Sequence, residues 1–114
     1  MKRGTIVLIN ASFTDLSGTK TRPVLIIISR EEYNNQNDMV LILIISNTSR
    51  LNPDDYVLED RNLEFKNTGL KQSFAFRVRK VIAIHKKLLI CKFGFAGTNT
   101  MKEVEKRLRN LLQL

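Results

Sequence analysis

The sequence predicts a mainly β domain of the α+β class, in which short antiparallel strands are followed by one C-terminal helix. Short apolar runs rich in valine and isoleucine recur from residue 5 to residue 93, separated by polar stretches with Asn, Asp, Gly or Pro. Helical periodicity is confined to residues 100–114. With 114 residues, 43% of them hydrophobic and 26% charged, the chain fits one globular domain, residues 1–114. A small twisted barrel suits this order and length.

Four strands are predicted in the first half of the chain. The first is Thr5–Ile9, and a polar loop containing Gly18 follows it. The second is Pro23–Ile28, whose β-branched density favours a buried strand. The third is Met39–Ile45, and Tyr56–Leu58 is a short edge strand. Polar loops are predicted at 10–20, 30–38 and 46–55, the last with turn chemistry around Pro53.

A fifth strand is predicted over Phe74–Ile84, with one buried and one wet, basic face. The alternation places two sets on opposite faces: Phe74, Phe76 and Val78 against Arg77 and Arg79. The parity slips at Lys80-Val81, which predicts a bulge. The following His85-Lys86-Lys87 predicts an exposed turn that closes a hairpin with Leu88–Phe93. Cys91 lies in this apolar run and is expected to be a buried small hydrophobe.

The last segment predicts an amphipathic helix. Thr100 and Glu103 have the spacing of a capping box. Glu103 and Arg107 form an i,i+4 pair in the favourable order. The apolar residues share one face at helical spacing: Met101, Val104, Leu108, Leu111 and Leu112.

The charge of the chain indicates a polyanionic partner. The net charge is +8 and the pI is about 10.0. Residues 1–57 hold six basic and six acidic residues, whereas residues 58–114 hold 13 basic and five acidic ones. Nucleic acid is the first expectation; an acidic protein partner, or a charge that only serves solubility, would also fit. The longest apolar run, Met39–Ile45, is too short for a membrane span, and no signal peptide or disulfide is indicated, so the cytoplasm is expected.

Residue types exclude most catalytic classes. One His and one Cys, with Asp54-Asp55 in a turn, do not make a metal site or a His-based triad, and no cofactor is expected. Gly94-x-x-Gly97 lacks the lysine of a phosphate loop. Arg, Lys, Ser and Thr remain. Because RNA carries its own nucleophile, the 2′-hydroxyl, this set is compatible with a metal-independent ribonuclease.

Several stretches together resemble the MazF/PemK-type toxins of bacterial toxin–antitoxin pairs, over nearly the whole chain. They are, in order, KRGTIVLIN, KTRPVLIIIS, LILIISNTSR, NTGLKQSFAFRVRKVIAI, KFGF and the helix MKEVEKRLRNLLQL. The resemblance implies a small SH3-like antiparallel β-barrel with a C-terminal helix that acts as a homodimer. It also implies a sequence-specific, metal-independent endoribonuclease that cleaves single-stranded RNA and is blocked by a cognate antitoxin.

The resemblance also assigns candidate site residues. Arg22 matches the arginine of the family's Arg-Pro pair and is expected to be catalytic. Ser46 matches a family threonine; it keeps the hydroxyl and loses the β-branch. The RNA-binding candidates are Lys20, Asn47, Thr48, Ser73, Arg77 and Arg79. Two plainer interpretations stay open, in which Arg22 is a salt-bridge partner at a strand start and Ser46 caps a loop.

One alternative function is a binding module on the same barrel. Such a module would bind RNA without cutting it, or inhibit gyrase as relatives of this barrel do. A binder has no need of both Arg22 and Ser46. A purely structural domain is a third reading, but it leaves the uneven charge without a reason.

Overall fold

The computed structural model describes residues 2–10, 21–28 and 38–114. These residues form six strands, two single-turn 3₁₀ helices at Lys66–Thr68 and Lys86–Leu88, and one α-helix. The elements are β1 (Thr5–Asn10), β2 (Thr21–Ile28), β3 (Asp38–Ile45), β4 (Tyr56–Leu58), β5 (Phe74–His85), β6 (Leu89–Phe95) and α1 (Thr98–Leu112). The predicted strands are confirmed, whereas the loops predicted at 10–20 and 30–38 fall almost entirely outside the described residues.

The six strands make one antiparallel sheet in the order β4-β5-β3-β2-β1-β6. The mainly β class with a C-terminal helix is therefore confirmed. Among the described residues, no strand pairing joins the two edge strands, β4 and β6.

Two glycines let the chain after β4 pack against β6. A Cβ on Gly69 would lie 2.1 Å from the carbonyl oxygen of Phe93, and one on Gly94 would lie 2.2 Å from that of Asn67. Gly69 also has φ of 77°, where side chains are strained. Only glycine fits such a close approach of two backbones, so the Lys66–Thr68 turn rests directly on β6.

The bulge in β5 is confirmed, and the hairpin after it is wrong. Ile42 faces Val81 while the next residue, Leu43, faces Arg77, so residues 78–80 of β5 have no partners across from them. β5 pairs with β3 and β4, whereas β6 pairs with β1 at the other edge. The turn at His85, whose Nδ1 accepts from the N–H of Lys87, was recognisable as a turn. The sequence of this turn does not indicate that β6 pairs with β1, a strand distant in the chain, instead of with β5.

The central strands bury side chains on both faces of the sheet, which explains their unbroken apolar runs. Ile6 and Leu25 belong to one cluster, and their neighbours Val7 and Val24 belong to the other. The first cluster also contains Phe76 and is covered by the apolar face of α1. The helix residues in or against it are Val104, Met101, Leu108 and Leu111. The predicted amphipathic face is thus confirmed for these four positions, whereas Leu112 is exposed.

The helix is capped by a residue far away in the chain, so the predicted capping box is wrong. The α-helix begins at Thr98, and Glu64 accepts hydrogen bonds from the N–H groups of Asn99 (3.1 Å) and Thr100 (2.8 Å) and from the Thr100 hydroxyl (2.6 Å). Burial alone would raise the pKa of Glu64, but these hydrogen bonds outweigh it and lower the pKa. Glu103 instead pairs with Arg107 at 3.5 Å, as predicted.

β6 is more exposed than its sequence suggests. Cys91 is exposed, so the expectation of a buried thiol is wrong. Ile90, Phe93 and Phe95 are also exposed by 51%, 37% and 49%. An edge strand has only one neighbour, and an apolar run there does not imply burial on both faces.

Candidate functional site

The start of β2 and the end of β3 meet in the sheet. Val24 faces Leu43 in the antiparallel register, which brings the residues just before Val24 beside those just after Leu43. Arg22, half-buried, and Ser46, exposed, consequently line the same surface. The structure therefore brings the two predicted catalytic residues together from positions far apart in the sequence.

A wide cleft lies on one side of this pair, with a volume of about 380 Å³. Its apolar part consists of Pro23, Ile44, Leu70 and Phe74. Its polar part adds Thr21, Lys71 and Gln72 to Arg22 and Ser46. A cleft that combines apolar residues with polar groups can hold a ligand and orient it.

A second cleft of about 290 Å³ shares Arg22 and Ser46 with the first. We call it the arginine cleft, lined by Arg22, Ile45, Ser46, Asn47, Arg50 and Arg77. Three arginines line this one small depression. Such a surface favours phosphate, which arginine can bind through two parallel hydrogen bonds.

Arg77 is tied to the loop that follows β3. It donates hydrogen bonds to Oδ2 of Asp55 and to the carbonyl oxygen of Arg50, each at 3.1 Å. The Asp55 side chain is fully buried, and that of Arg77 is 24% exposed. Asp55 Oδ2 also accepts from the N–H of Asn52 at 2.8 Å. We call these contacts the Arg77–Asp55 clamp.

The clamp changes the interpretation of β5. The predicted wet basic face holds for Arg79, which is 60% exposed, and not for Arg77, which is 24% exposed, and each pairs with a carboxylate of the 46–55 loop. Nε of Arg79 lies 3.2 Å from Oδ2 of Asp54. Asp54 and Asp55 lie in the predicted turn, where the N–H of Asp55 donates to the carbonyl of Asn52. They also neutralise the two arginines, which the sequence did not indicate.

The predicted RNA-binding residues are distributed over several places. Asn47 lines the arginine cleft, and its Oδ1 accepts from the N–H and hydroxyl of Ser49. Thr48 is exposed beside it but lines neither cleft. Ser73 is half-buried, and its hydroxyl accepts from the N–H of Asp60 at 2.8 Å.

Two further candidates lie away from the clefts or outside the description. Arg79 lines a separate cleft against α1, with Lys106 and Arg107 among its neighbours. Lys20 lies outside the described residues. The structure therefore brings Asn47 and Arg77 to the Arg22–Ser46 pair, and leaves Ser73 and Arg79 outside both clefts.

Sequence reasoning missed Arg50, Lys71 and Gln72. All three are exposed loop residues that line one of the two clefts. The one available signal was that Arg50 lies in the same loop as Ser46. Placing its side chain required the clamp, which joins residues from β5 and the loop.

Neither a metal cluster nor a membrane span is found in the part of the chain that the structure describes. No three His, Cys, Asp or Glu residues there are grouped so as to hold a metal ion. No described helix is long and apolar enough to cross a bilayer.

Solved structures with the same fold include toxins of toxin–antitoxin systems. MazF from Deinococcus radiodurans superposes with a TM-score of 0.77 at 15% identity, covering 100% of this chain and 97% of that one. A Mycobacterial endoribonuclease solved in complex with its cognate antitoxin gives 0.73 at 18% identity, with 100% and 94% coverage. The Mycobacterium tuberculosis toxin MazF-mt6 gives 0.73 at 18%, with 96% and 97% coverage.

The sequence itself matches one family model over almost its whole length. No curated protein sequence matches the chain. The family model of the PemK-like, MazF-like toxins of type II toxin–antitoxin systems matches residues 2–112. This chain therefore belongs to the PemK-like, MazF-like toxin family.

Proposed function

We propose that the chain is an endoribonuclease that cleaves single-stranded RNA without a metal ion. The observation that carries the proposal is that Arg22 and Ser46 line the same surface, between a cleft suited to a base and a cleft rich in arginine. Family membership and the endoribonucleases among the solved neighbours support it.

The reaction uses the nucleophile that RNA supplies. The 2′-oxygen attacks the adjacent phosphorus, its proton is lost to water in the open cleft, and the bond to the 5′-oxygen breaks. The products are a 2′,3′-cyclic phosphate and a 5′-hydroxyl. Ser46 orients the 2′-hydroxyl or a phosphate oxygen through its own hydroxyl.

Arg22 has two roles in this step. Its positive guanidinium neutralises the charge that builds on the phosphate oxygens. It also donates a proton to the departing 5′-oxygen and regains one from water. Arg22 is half-buried at the start of β2, and a head group restrained in this way suits electrostatic stabilisation of a transition state.

The partners follow from the same proposal. A related Mycobacterial endoribonuclease was solved with its cognate antitoxin, and this chain carries a net charge of +8. We infer an antitoxin that is acidic and blocks the RNA-binding surface, a homodimeric toxin, and action in the cytoplasm, where messenger RNA is available.

The test is cleavage of a long single-stranded RNA in the presence of EDTA. Wild type should give discrete fragments with 5′-hydroxyl ends. Arg22→Ala should be about 100- to 1,000-fold slower, as expected for loss of one donor to a developing oxyanion. Arg109→Ala, which removes the same charge from exposed α1, is the matched control and should cleave normally.

The binding-module alternative makes the opposite prediction. A protein that only binds RNA, or that inhibits gyrase, would leave RNA intact under all these conditions. Normal cleavage by Arg22→Ala would remove Arg22 from the site.

A further inference from the structure

Arg50 stands apart from the other two arginines of the arginine cleft. Arg77 is neutralised by the buried carboxylate of Asp55, and Arg22 lies half-buried in β2. In the part of the chain that the structure describes, the exposed guanidinium of Arg50 makes no ion pair, although its carbonyl oxygen is held by Arg77. An exposed cation without a matching anion is suited to bind a polyanion.

The backbone around Arg50 is held although it lies in a loop. Arg77 binds the carbonyl of Arg50, and Asp55 binds the N–H of Asn52 two residues later. The N–H of Asp55 in turn donates to the carbonyl of Asn52 at 3.0 Å. These bonds hold the backbone of Arg50 in the loop that lines the arginine cleft with Ser46, so that only the side chain has to be ordered when an anion binds.

The clamp also determines which arginine is available. Arg77 uses one terminal nitrogen for two acceptors, and its buried Nε has no hydrogen-bond partner among the described residues. Its positive charge is compensated by the carboxylate of Asp55. The charge of Arg50 remains available at the cleft surface.

We propose that Arg50 binds an RNA phosphate adjacent to the one that is cleaved, and that Arg77 serves mainly to position Arg50. This inference rests on the proposed function of the Arg22–Ser46 surface. The arginine cleft then holds the sugar-phosphate backbone on one side of the scissile bond. The wide cleft holds a base on the other side.

The test measures binding separately from cleavage. The probe is a 2′-O-methyl copy of the RNA that wild type cleaves, because it lacks the attacking hydroxyl. Arg50→Ala should bind it about tenfold more weakly, as expected for loss of a charge-assisted hydrogen bond. The slope of log affinity against log salt should fall by about 0.7, the value for one phosphate contact on a single strand. With unmodified RNA, the KM should rise by a similar factor while kcat changes little.

Matched variants separate the contact from a general charge effect. Arg50→Lys keeps a cation at the same backbone position and should retain the wild-type slope. Arg109→Ala removes a charge elsewhere and should also retain it. Each variant is checked by far-UV circular dichroism and thermal unfolding, which an exposed loop substitution should leave unchanged.

The failures of the two proposals differ. If wild type cleaves RNA in EDTA but Arg50→Ala has the wild-type slope and affinity, the assignment of Arg50 is overturned and the ribonuclease stands. If wild type leaves unmodified RNA intact, the ribonuclease is overturned. Binding is then measured on that unmodified RNA, and a slope that still depends on Arg50 supports the phosphate contact, whereas an unaltered slope overturns it.

Discussion

Breaking the Arg77–Asp55 clamp should destabilise the protein and weaken RNA binding without removing a phosphate contact. In Arg77→Met, the carboxylate of Asp55 keeps only the N–H of Asn52, and its side chain is fully buried. Removing one partner of a buried ion pair typically costs about 3–5 kcal/mol. Because Arg77 is 24% exposed, we expect the lower end, about 3 kcal/mol.

The measurement is urea unfolding followed by circular dichroism, with a double-mutant cycle. Asp55→Asn alone should also destabilise, since it leaves Arg77 without its counter-charge. The double variant Arg77→Met/Asp55→Asn should recover part of the loss, which would appear as a coupling of about 1–3 kcal/mol. Arg61→Met, at a highly exposed surface pair, is the matched control and should change stability by less than about 0.5 kcal/mol.

RNA binding distinguishes positioning from direct contact. If Arg77 acts by positioning Arg50, Arg77→Met should raise the KM, change kcat little and leave the salt slope of RNA binding unchanged. A slope reduced by about 0.7 would mean that Arg77 itself binds phosphate, as the resemblance suggested. A variant within about 0.5 kcal/mol of wild-type stability would refute the clamp as a stabilising element.

Three other predictions concern the cap, the close backbone approach and the candidate nucleophile-orienting hydroxyl. Glu64→Gln should cost about 0.5–2 kcal/mol in the free energy of unfolding. Gly97→Ala should cost a similar amount, because its Cβ would lie 2.4 Å from Cδ of Glu64 although its φ of −71° suits alanine. Because the pKa of Glu64 is lowered in the folded state, Glu64 contributes to the free energy of unfolding above the ordinary glutamate pKa, and this contribution is lost as the pH falls through the lowered value. If the stability of Glu64→Gln fell with acid in parallel with that of wild type, this reasoning would be contradicted. Gly69→Ala should lower the free energy of unfolding by more than about 1–3 kcal/mol, the range for backbone strain alone, because the new Cβ would also clash with the backbone of β6. A melting temperature close to that of wild type would show that the turn can move. Ser46→Ala should lose RNA cleavage while Ser46→Thr keeps it, and equal rates for Ser46→Ala and wild type would remove this hydroxyl from the mechanism.

The sequence predicts the strands well because each buried strand is marked by an apolar run in its own residues. The residues in the middle of β1 to β3 are apolar whichever face they occupy, so the runs are continuous and easy to recognise. The bulge was visible because the alternation in β5 loses its parity. The pairing of β6 was not visible, because a turn signal describes only the residues in the turn, whereas the partner edge belongs to β1 at the other end of the chain.

In the candidate site, too, contacts between residues distant in the sequence could not be predicted. Arg22 and Ser46 were identified by resemblance, and the register of β2 against β3 is what brings them together. The roles of Glu64 and Asp55 were missed because each acts on a residue far away in the sequence, Thr100 and Arg77. Arg50 was missed for the same reason, since its availability depends on the neutralisation of its neighbour.

The packing of the Lys66–Thr68 turn on β6 has a consequence for how selectivity can change. Ser73, Glu64 and the close approach at Gly69 each fasten the segment that forms one wall of the wide cleft. Lys71 and Gln72 are exposed on that wall and take no part in fastening it. Under the proposed function, we therefore expect substitutions at the two positions to leave the fold intact, and a library randomised at both would test whether they set the RNA sequence that is cut.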